Sequence, residues 1–382
     1  GSVRRLLRPD ASHAAQTAAE SNPFFKRNHA KGMVLYMENK NWFDINGSDG
    51  DIAVSTRVRL ARNIEGIPFG ARQSAEDAEK IVALCSSQLM ENPVTKDVFT
   101  LKKSSSMSDA ERVSLVERHL ISPEFAKSSL PRALCLSSDE GISVMINEED
   151  HIRLQVIGTG LCIDECLDCA VKIDTLTDEG LNAHGARYAF DDKLGYLTHC
   201  PTNLGTGLRA SVMLHLPALA ANGRLKALMN AAGSLGLAIR GYYGEGSRES
   251  GDLYQISNRI TLGYTEKELC DNLREIVAQI ISEERAARKA LMDAERLRLE
   301  DKVCRSHALL VSARLISAEE AMGLLSDERL GVSLGLLPGD VGTINALISE
   351  IQPATLCLNA AISAGAEQRD ETRAALLRKR LG

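Results

Sequence analysis

A chain of 382 residues, 44% apolar and 25% charged, is long enough for two or three domains with proper cores and is ordinary in composition for a soluble protein. Its formal net charge of -6 argues against nucleic acid as a direct ligand, and no apolar run approaches membrane length. Nine cysteines, an odd number in a chain too large to need covalent staples, with no visible secretory leader, fit a reducing cytoplasm.

Residues 1–32 are basic and alanine-rich without sustained periodicity, and read as an appended or peripheral leader. From Ile52 to Leu60 the residues alternate, which predicts a short strand with Arg57 and Arg59 on one face; from this segment alone a solvated edge strand is the favoured account of the pair. Ser74 caps a helix through about Met90, with Ala78, Ile81, Val82 and Cys85 inward. Ser108 and Glu111 form a capping box for a helix expected to end near Ser122, with His119 in its last turn. Gly141–Ile146, the acidic turn Asn147-Glu148-Glu149-Asp150 and His151–Ile157 predict a hairpin whose three adjoining carboxylates call for a cation nearby. Cys162, Cys166 and Cys169 lack the partner spacing of a zinc site and read as buried thiols.

A second hairpin is expected over Arg187–Thr198, leading into the stretch from Cys200 to Met213. Here Pro201 and Asn203 bend the chain, Gly205 and Gly207 permit close approach to a ligand, and Leu208–Leu216 reads as the opening of a helix. Such a loop suits phosphate held by Arg209 rather than by a P-loop lysine, although an ordinary tight turn would look the same. A helix over Gly223–Ala232 and strands at Leu237–Tyr243 and Leu253–Ser257 follow, implying a largely antiparallel sheet with helices packed on it. From Glu266 the apolar period becomes helical and runs to about Val303, with a domain boundary inside or after it. The remainder reads as helical, with a capping box at Ser317 and Glu320 and a basic final helix from Glu367 to Leu381.

Six segments, taken together and in order, resemble the phosphagen kinase superfamily and more closely the bacterial protein arginine kinases. They are Ser55-Thr-Arg-Val-Arg59, Asn147 through Arg153, Cys200 through Met213, Arg240 through Glu245, Gln255 through Asn258, and Arg369 through Ala374. The resemblance covers nearly all of 33–382 and implies an α+β fold. A phosphagen-kinase-like catalytic domain over 33–288, with a largely antiparallel sheet flanked by helices, would precede an all-helical C-terminal regulatory domain over 289–382. It implies Mg-ATP as phosphoryl donor. ATP contacts would fall to Ser55, Thr56, Arg57, Val58 and Arg59, to His119 and Arg153, and to Arg209, Ala210, Ser211, Val212 and Met213. Arg240, Gly241, Tyr242, Tyr243 and Gly244 complete that set. The catalytic group would be Glu149, Glu245 and Cys200, with Glu148 the weaker acid and no protein metal ligand required.

The chemistry accords with this assignment. A guanidinium is protonated at any ordinary pH with delocalised lone pairs, so it is a poor nucleophile. Two carboxylates that fork its N–H groups can orient it and accept its proton, while arginines and Mg2+ neutralise the transferring phosphoryl group. For Cys200 a thiolate beside the bound cation and a buried structural thiol weigh evenly.

Small-metabolite phosphagen kinases carry a sizeable helical domain ahead of the first arginine strand. Only about twenty residues precede Ser55 once the leader is set aside, too few for an independent domain, so an arginine on a protein surface is the expected substrate. In the C-terminal region Arg369 and Arg373 are i, i+4 neighbours with Asp370 in reach of both. By spacing alone this is a surface salt bridge; by resemblance Arg369, Asp370, Arg373 and Ala374 form a phosphoarginine pocket that regulates activity. The resemblance also implies protein substrates destined for a Clp ATPase–protease, a small zinc-binding activator protein and homo-oligomers. A catalytically weak phosphoarginine-binding adaptor and a kinase of a free small guanidine are the competing readings.

Overall fold

Alternating strands build the centre of the molecule. The computed structural model describes residues 41–43, 46–242 and 251–382. The expected leader over 1–32, and Tyr243, Gly244 and Glu245, lie outside the described residues. The strands are β1 (Ala53–Arg62), β2 (Phe99–Lys103), β3 (Ala133–Ser137), β4 (Ile142–Ile146), β5 (Ile152–Thr159), β6 (Phe190–Asp191), β7 (Gly195–Tyr196), β8 (Leu208–His215), β9 (Leu237–Gly241) and β10 (Leu253–Asn258). Eight of them form one antiparallel sheet in the order β2-β3-β4-β5-β1-β8-β10-β9, and β6 and β7 make the small hairpin expected around Asp191.

The helices are α1 (Ala75–Met90), α2 (Asp109–Glu117), α3 (Pro123–Lys127), α4 (Ile163–Ala183), α5 (Pro217–Ala221), α6 (Leu225–Ser234) and α7 (Glu266–Ser312). They continue with α8 (Ala318–Ser333), α9 (Val341–Glu350), α10 (Pro353–Asn359) and α11 (Ala366–Leu381). One sheet face, with Val58, Leu60, Leu154, Val156, Ala210, Val212, Leu214 and Ile256, packs with Ile81, Ile173, Leu273 and Val277 from α1, α4 and α7 into the main core. Each large aliphatic side chain buried there contributes about 1.5–3 kcal/mol. Cys162, Cys166 and Cys169 belong to this core, as buried thiols. A second core joins α8, α9 and α11 to the sheet through Val54, Met213 and Leu253.

Several expectations are corrected. Leu208–Leu216 does not open a helix: it is β8, hydrogen-bonded between β1 and β10, because Leu208, Ala210, Val212 and Leu214 alternate with Arg209, Ser211 and Met213. Gly205 and Gly207 have φ of 99° and 65°, and a Cβ on either would lie 2.6 Å from a main-chain oxygen, of Thr261 and Ala61 respectively. Their freedom therefore serves close approach to the protein's own backbone. β1 is central, so the edge-strand account of Arg57 and Arg59 fails. The helix begun by the Ser108–Glu111 capping box stops at Glu117, and His119 follows it at φ 61°, while Ser122 caps the separate α3. The long helix runs past Val303 to Ser312 and is interrupted at Glu295.

The turn ahead of β1 is clamped by two buried arginines. Arg288 of α7 donates to the carbonyls of Asp51 and His215, at 3.1 and 3.0 Å, and pairs with Glu284 at 2.7 Å. Arg329 of α8 donates to the carbonyls of Gly50 and Asp51 at 2.7 and 3.0 Å. Buried carbonyls need such partners, and here the partners come from the helical region, so α7 and α8 fix where β1 starts.

Candidate active site

The sheet face opposite the main core carries the charge. Period two puts Arg57 and Arg59 of β1, Arg153 and Gln155 of β5, and Arg209 and Ser211 of β8 on that one face. Register then brings them together: Arg59 lies opposite Arg209 on one side and Gln155 on the other, and Arg57 lies opposite Ser211. Side chains directly opposite on neighbouring strands are about 5 Å apart at Cβ, where like charges repel.

Among the described residues, the partners of these arginines differ in charge. Arg153 pairs with Glu148 at 2.7 Å, whereas Arg57 and Arg209 donate to the neutral Gln255 and Ser257, each at 3.2 Å. Arg59 Nε is buried with no hydrogen-bond partner among the described residues. Burial, then the neighbouring guanidiniums of Arg153 and Arg209, pull the Arg57 pKa down to about 9. Burial, then Arg57, Arg153 and Arg209, push the Arg59 pKa well below its ordinary value. Burial opposes the Arg153 charge too, but Glu148 outweighs it and leaves that pKa raised. A half-buried group of guanidiniums gathered on one sheet face is suited to an anion.

That face floors an open cavity of about 1090 Å3 lined by Arg57, Arg59, Arg153, Arg209 and Arg240, with His119 and Tyr242 at its wall. The two rings meet edge to face at 4.8 Å, and the His119 carbonyl accepts from Gln155 Nε2 at 2.8 Å. Burial, then Arg57 and Arg59, lower the His119 pKa to about 3, so its imidazole stays neutral. Ser55, Ser211 and Met213 line an adjoining recess that shares Arg57 and His119.

A second cavity, of about 500 Å3, holds Glu149, Asp150 and Cys200, and it shares Arg59, Arg153 and Arg209 with the first. The three acids of the β4–β5 turn divide their tasks. Glu148 is buried against Arg153 and accepts from Ser122 Oγ; burial raises its pKa, but these partners outweigh burial and hold it low. Asp150 accepts from Asn63 Nδ2 at 2.6 Å and from the His199 N–H at 2.7 Å, tying the acidic turn to the chain just before Cys200. Glu149 is half-buried, and burial, then Asp150 and Glu148, raise its pKa, the condition of a proton acceptor. Cys200 precedes a 3-10 turn at Pro201–Asn203, with its Sγ 3.0 Å from Thr202 Oγ1.

Other expected residues lie elsewhere. Thr56, Val58, Ala210 and Val212 are fully buried and point away from the arginines, Thr56 Oγ1 to the Gly160 carbonyl and the other three into the main core. Their side chains cannot meet a ligand on the arginine face. Gly241 ends β9 opposite Tyr254. Arg373 is 1% exposed and bonds the carbonyls of Ile351 and Ile316 at 2.9 and 2.8 Å and Asp370 Oδ1 at 2.6 Å, stapling α11 to the preceding helices; Ala374 lies in the core beside it. Arg369 donates to the Ala364 carbonyl at 2.9 Å. Sequence reasoning missed Asn63, Asp150, Gln255 and Ser257 as supports of the site. The parity of Gln255 and Ser257 on a strand was the available signal for those two.

Comparison with known proteins accords with this geometry. Residues 79–287 match the model of the ATP:guanido phosphotransferase C-terminal catalytic domain, and residues 296–382 match that of the protein-arginine kinase McsB C-terminal domain. The chain is 46% identical to a protein-arginine kinase of Halalkalibacterium halodurans over 89% of its own length and 94% of the relative's. It is 45% identical to a protein-arginine kinase of Geobacillus stearothermophilus over 89% and 93%. Among solved structures, lombricine kinase superimposes with a TM-score of 0.56 at 24% identity, covering 65% of this chain and 69% of that one. The duplicated taurocyamine kinase from Schistosoma mansoni, with bound transition state analog components, gives 0.55 at 24% identity, covering 76% and 42%. With this sheet, this arginine face and relatives matched along nearly their whole length, the chain belongs to the protein-arginine kinases of the ATP:guanido phosphotransferase family.

Proposed function

We propose that the protein transfers the γ-phosphoryl group of Mg-ATP to arginine side chains of proteins. The observation that carries this reading is that the arginine cavity and the Glu149 cavity meet at Arg59, Arg153 and Arg209. A triphosphate entering the first would present its terminal phosphorus at the three shared cations. A guanidinium entering the second would be held by Glu149, and Glu245, three residues beyond Tyr242 in the sequence and outside the described residues, would be its second carboxylate.

Transfer forms a bond from a terminal nitrogen of the substrate guanidinium to the γ-phosphorus and breaks the bond from that phosphorus to the bridging oxygen of ADP. The nitrogen's proton passes to Glu149, whose raised pKa suits the task. Arg59, Arg153 and Arg209 neutralise the three equatorial oxygens, and ADP leaves with the electron pair. Apart from His119 and Glu124 the cavity is lined by guanidinium, amide, hydroxyl and apolar groups, and no group of three His, Cys, Asp or Glu among the described residues is placed to hold a metal ion, so Mg2+ would sit on nucleotide oxygens and water. There it would neutralise the β- and γ-phosphates. Cys200, beside Glu149, would contact the bound guanidinium.

The modification replaces a cation by an anion on the target, a change that a Clp-type protease can read as a degradation mark in the cytoplasm. Arg369 and Asp370, the latter braced by the buried Arg373, would bind phosphoarginine and feed back on the kinase, and a small zinc-binding activator and self-association belong to the same proposal. Incubation with Mg-ATP and either an arginine-rich protein or free arginine, followed by mass spectrometry of acid-labile phosphate, tests the reading. Phosphate on the protein, lost in Glu149→Gln, supports it; phosphate on free arginine alone, or on neither, refutes it.

A further inference from the structure

Beside the guanidine cavity lies an apolar surface that transfer itself does not need. Leu235, Ile260, Leu262 and Tyr264 are all between 45% and 55% exposed. They come from two short segments, the α6–β9 turn and the link from β10 to α7. Packing makes the two segments one surface. The Ile260 side chain lies against Gly236, next to Leu235, and the Arg259 N–H donates to the Gly236 carbonyl at 2.9 Å.

The same link forms the outer wall of the loop that carries Cys200. Thr261 Oγ1 bonds the carbonyls of Thr202 and Leu204, at 2.9 and 2.6 Å, and Gly205 packs directly on Thr261 and Leu262. Thr202 lines the cavity that holds Glu149 and Cys200. Leu262 is thus one residue from the group that fixes the cavity's rim.

We propose that this surface receives apolar side chains of the substrate polypeptide that flank the arginine being phosphorylated. The inference rests on the protein-arginine reading above and extends it: the preferred target is an arginine with a large apolar residue a few positions away, in an extended segment. The occupant is argued from continuity with the cavity. An extended chain rises about 3.3 Å per residue, so a segment whose arginine enters beside Cys200 needs only a few residues to reach Leu262, which packs on the same loop. Folded targets bury such side chains, whereas unfolded or locally opened ones present them. The surface therefore biases the enzyme toward arginines in opened segments.

The test compares two peptides, each with one arginine, one carrying Leu and Phe two to four residues away and the other Ser at those places. The readout is kcat/KM for phosphoarginine formation. Wild type is expected to prefer the apolar peptide by about tenfold, equivalent to about 1.4 kcal/mol. Leu262→Ser combined with Tyr264→Ser should remove the preference by slowing the apolar peptide alone, the unchanged rate on the Ser peptide reporting an intact fold. Leu262→Phe should keep or widen the preference, which keeps the test decisive if the double variant folds poorly. Equal rates on both peptides in wild type, or a preference that survives the double variant, would overturn the docking surface while leaving the kinase reading standing. No phosphoarginine on either peptide with wild type would defeat the kinase reading and this inference with it.

Discussion

Replacing Arg57 by Met should stabilise the nucleotide-free protein and weaken ATP binding at once. Arg57 is half-buried at the cavity floor, and burial with the charges of Arg153 and Arg209 lowers its pKa from 12.5 to about 9. Each decade of proton affinity corresponds to about 1.4 kcal/mol, so carrying the charge in the folded protein costs at most about 5 kcal/mol, less what solvent in the open cavity screens. The sign follows from linkage: a base whose folded pKa lies below its unfolded value destabilises the fold at every pH beneath the folded value, which includes neutrality. Methionine fills a similar volume without the charge. It forfeits the hydrogen bond to Gln255, worth about 1 kcal/mol, and relaxation returns part of the remainder. A net gain of about 1–3 kcal/mol is expected, read as a higher urea midpoint at unchanged slope. With nucleotide the sign reverses. One lost guanidinium–phosphate contact, about 1.5–3 kcal/mol, weakens ATP by roughly ten- to a hundredfold, so ATP should raise the variant's midpoint far less than the wild type's. A variant that is destabilised without ATP, yet responds to ATP like wild type, would refute the argument that these arginines form an anion site.

The other predictions concern the acids, the histidine and the C-terminal staple. Glu149→Gln should cut phosphoryl transfer by about a hundredfold or more with ATP affinity retained, measured by single-turnover assay and nucleotide titration. Because the folded protein holds the Glu149 proton more tightly than the unfolded chain, that group favours folding below its ordinary pKa of 4.5 and loses the contribution as pH rises through its folded value; the Gln variant should therefore unfold at higher urea than wild type at pH 7. Asp150→Asn keeps an oxygen for Asn63 and His199 but removes a charge that raises the Glu149 pKa, so the acidic limb of the pH–rate profile should move to lower pH. Asp150→Ala should lose activity at all pH, by freeing the chain ahead of Cys200. His119, held neutral with a pKa of about 3, should leave the KM for ATP without an imidazole limb between about pH 5 and 8. Arg373→Ala strands the carbonyls of Ile351 and Ile316 and the carboxylate of Asp370, and should cost about 3–5 kcal/mol, seen as lost hydrogen-exchange protection in α8 and α11.

The sequence by itself determined the parts that depend on neighbours along the chain. The strand with Arg57 and Arg59 on one face, the acidic turn between β4 and β5, the caps at Ser74 and Ser108 and the ordered motifs that mark the family were all legible, because period and capping act over a few residues. Leu208–His215 misled because two glycines before an arginine suggested a loop opening a helix, whereas the alternation that followed was the physically decisive signal. Only the tertiary structure decided which residues on those strands face the arginine-lined cavity. A register of single residues sets Arg59 against Arg209 and Gln155, and sends Thr56, Val58, Ala210 and Val212 to the opposite face. It also gave the three acids different work: Glu148 to Arg153, Asp150 to Asn63 and the His199 N–H, Glu149 to the cavity. Asn63 and His199 stand tens of residues from Asp150 along the chain, and a side chain's charge, burial and proton affinity follow from what is packed against it in space, which local periodicity does not encode.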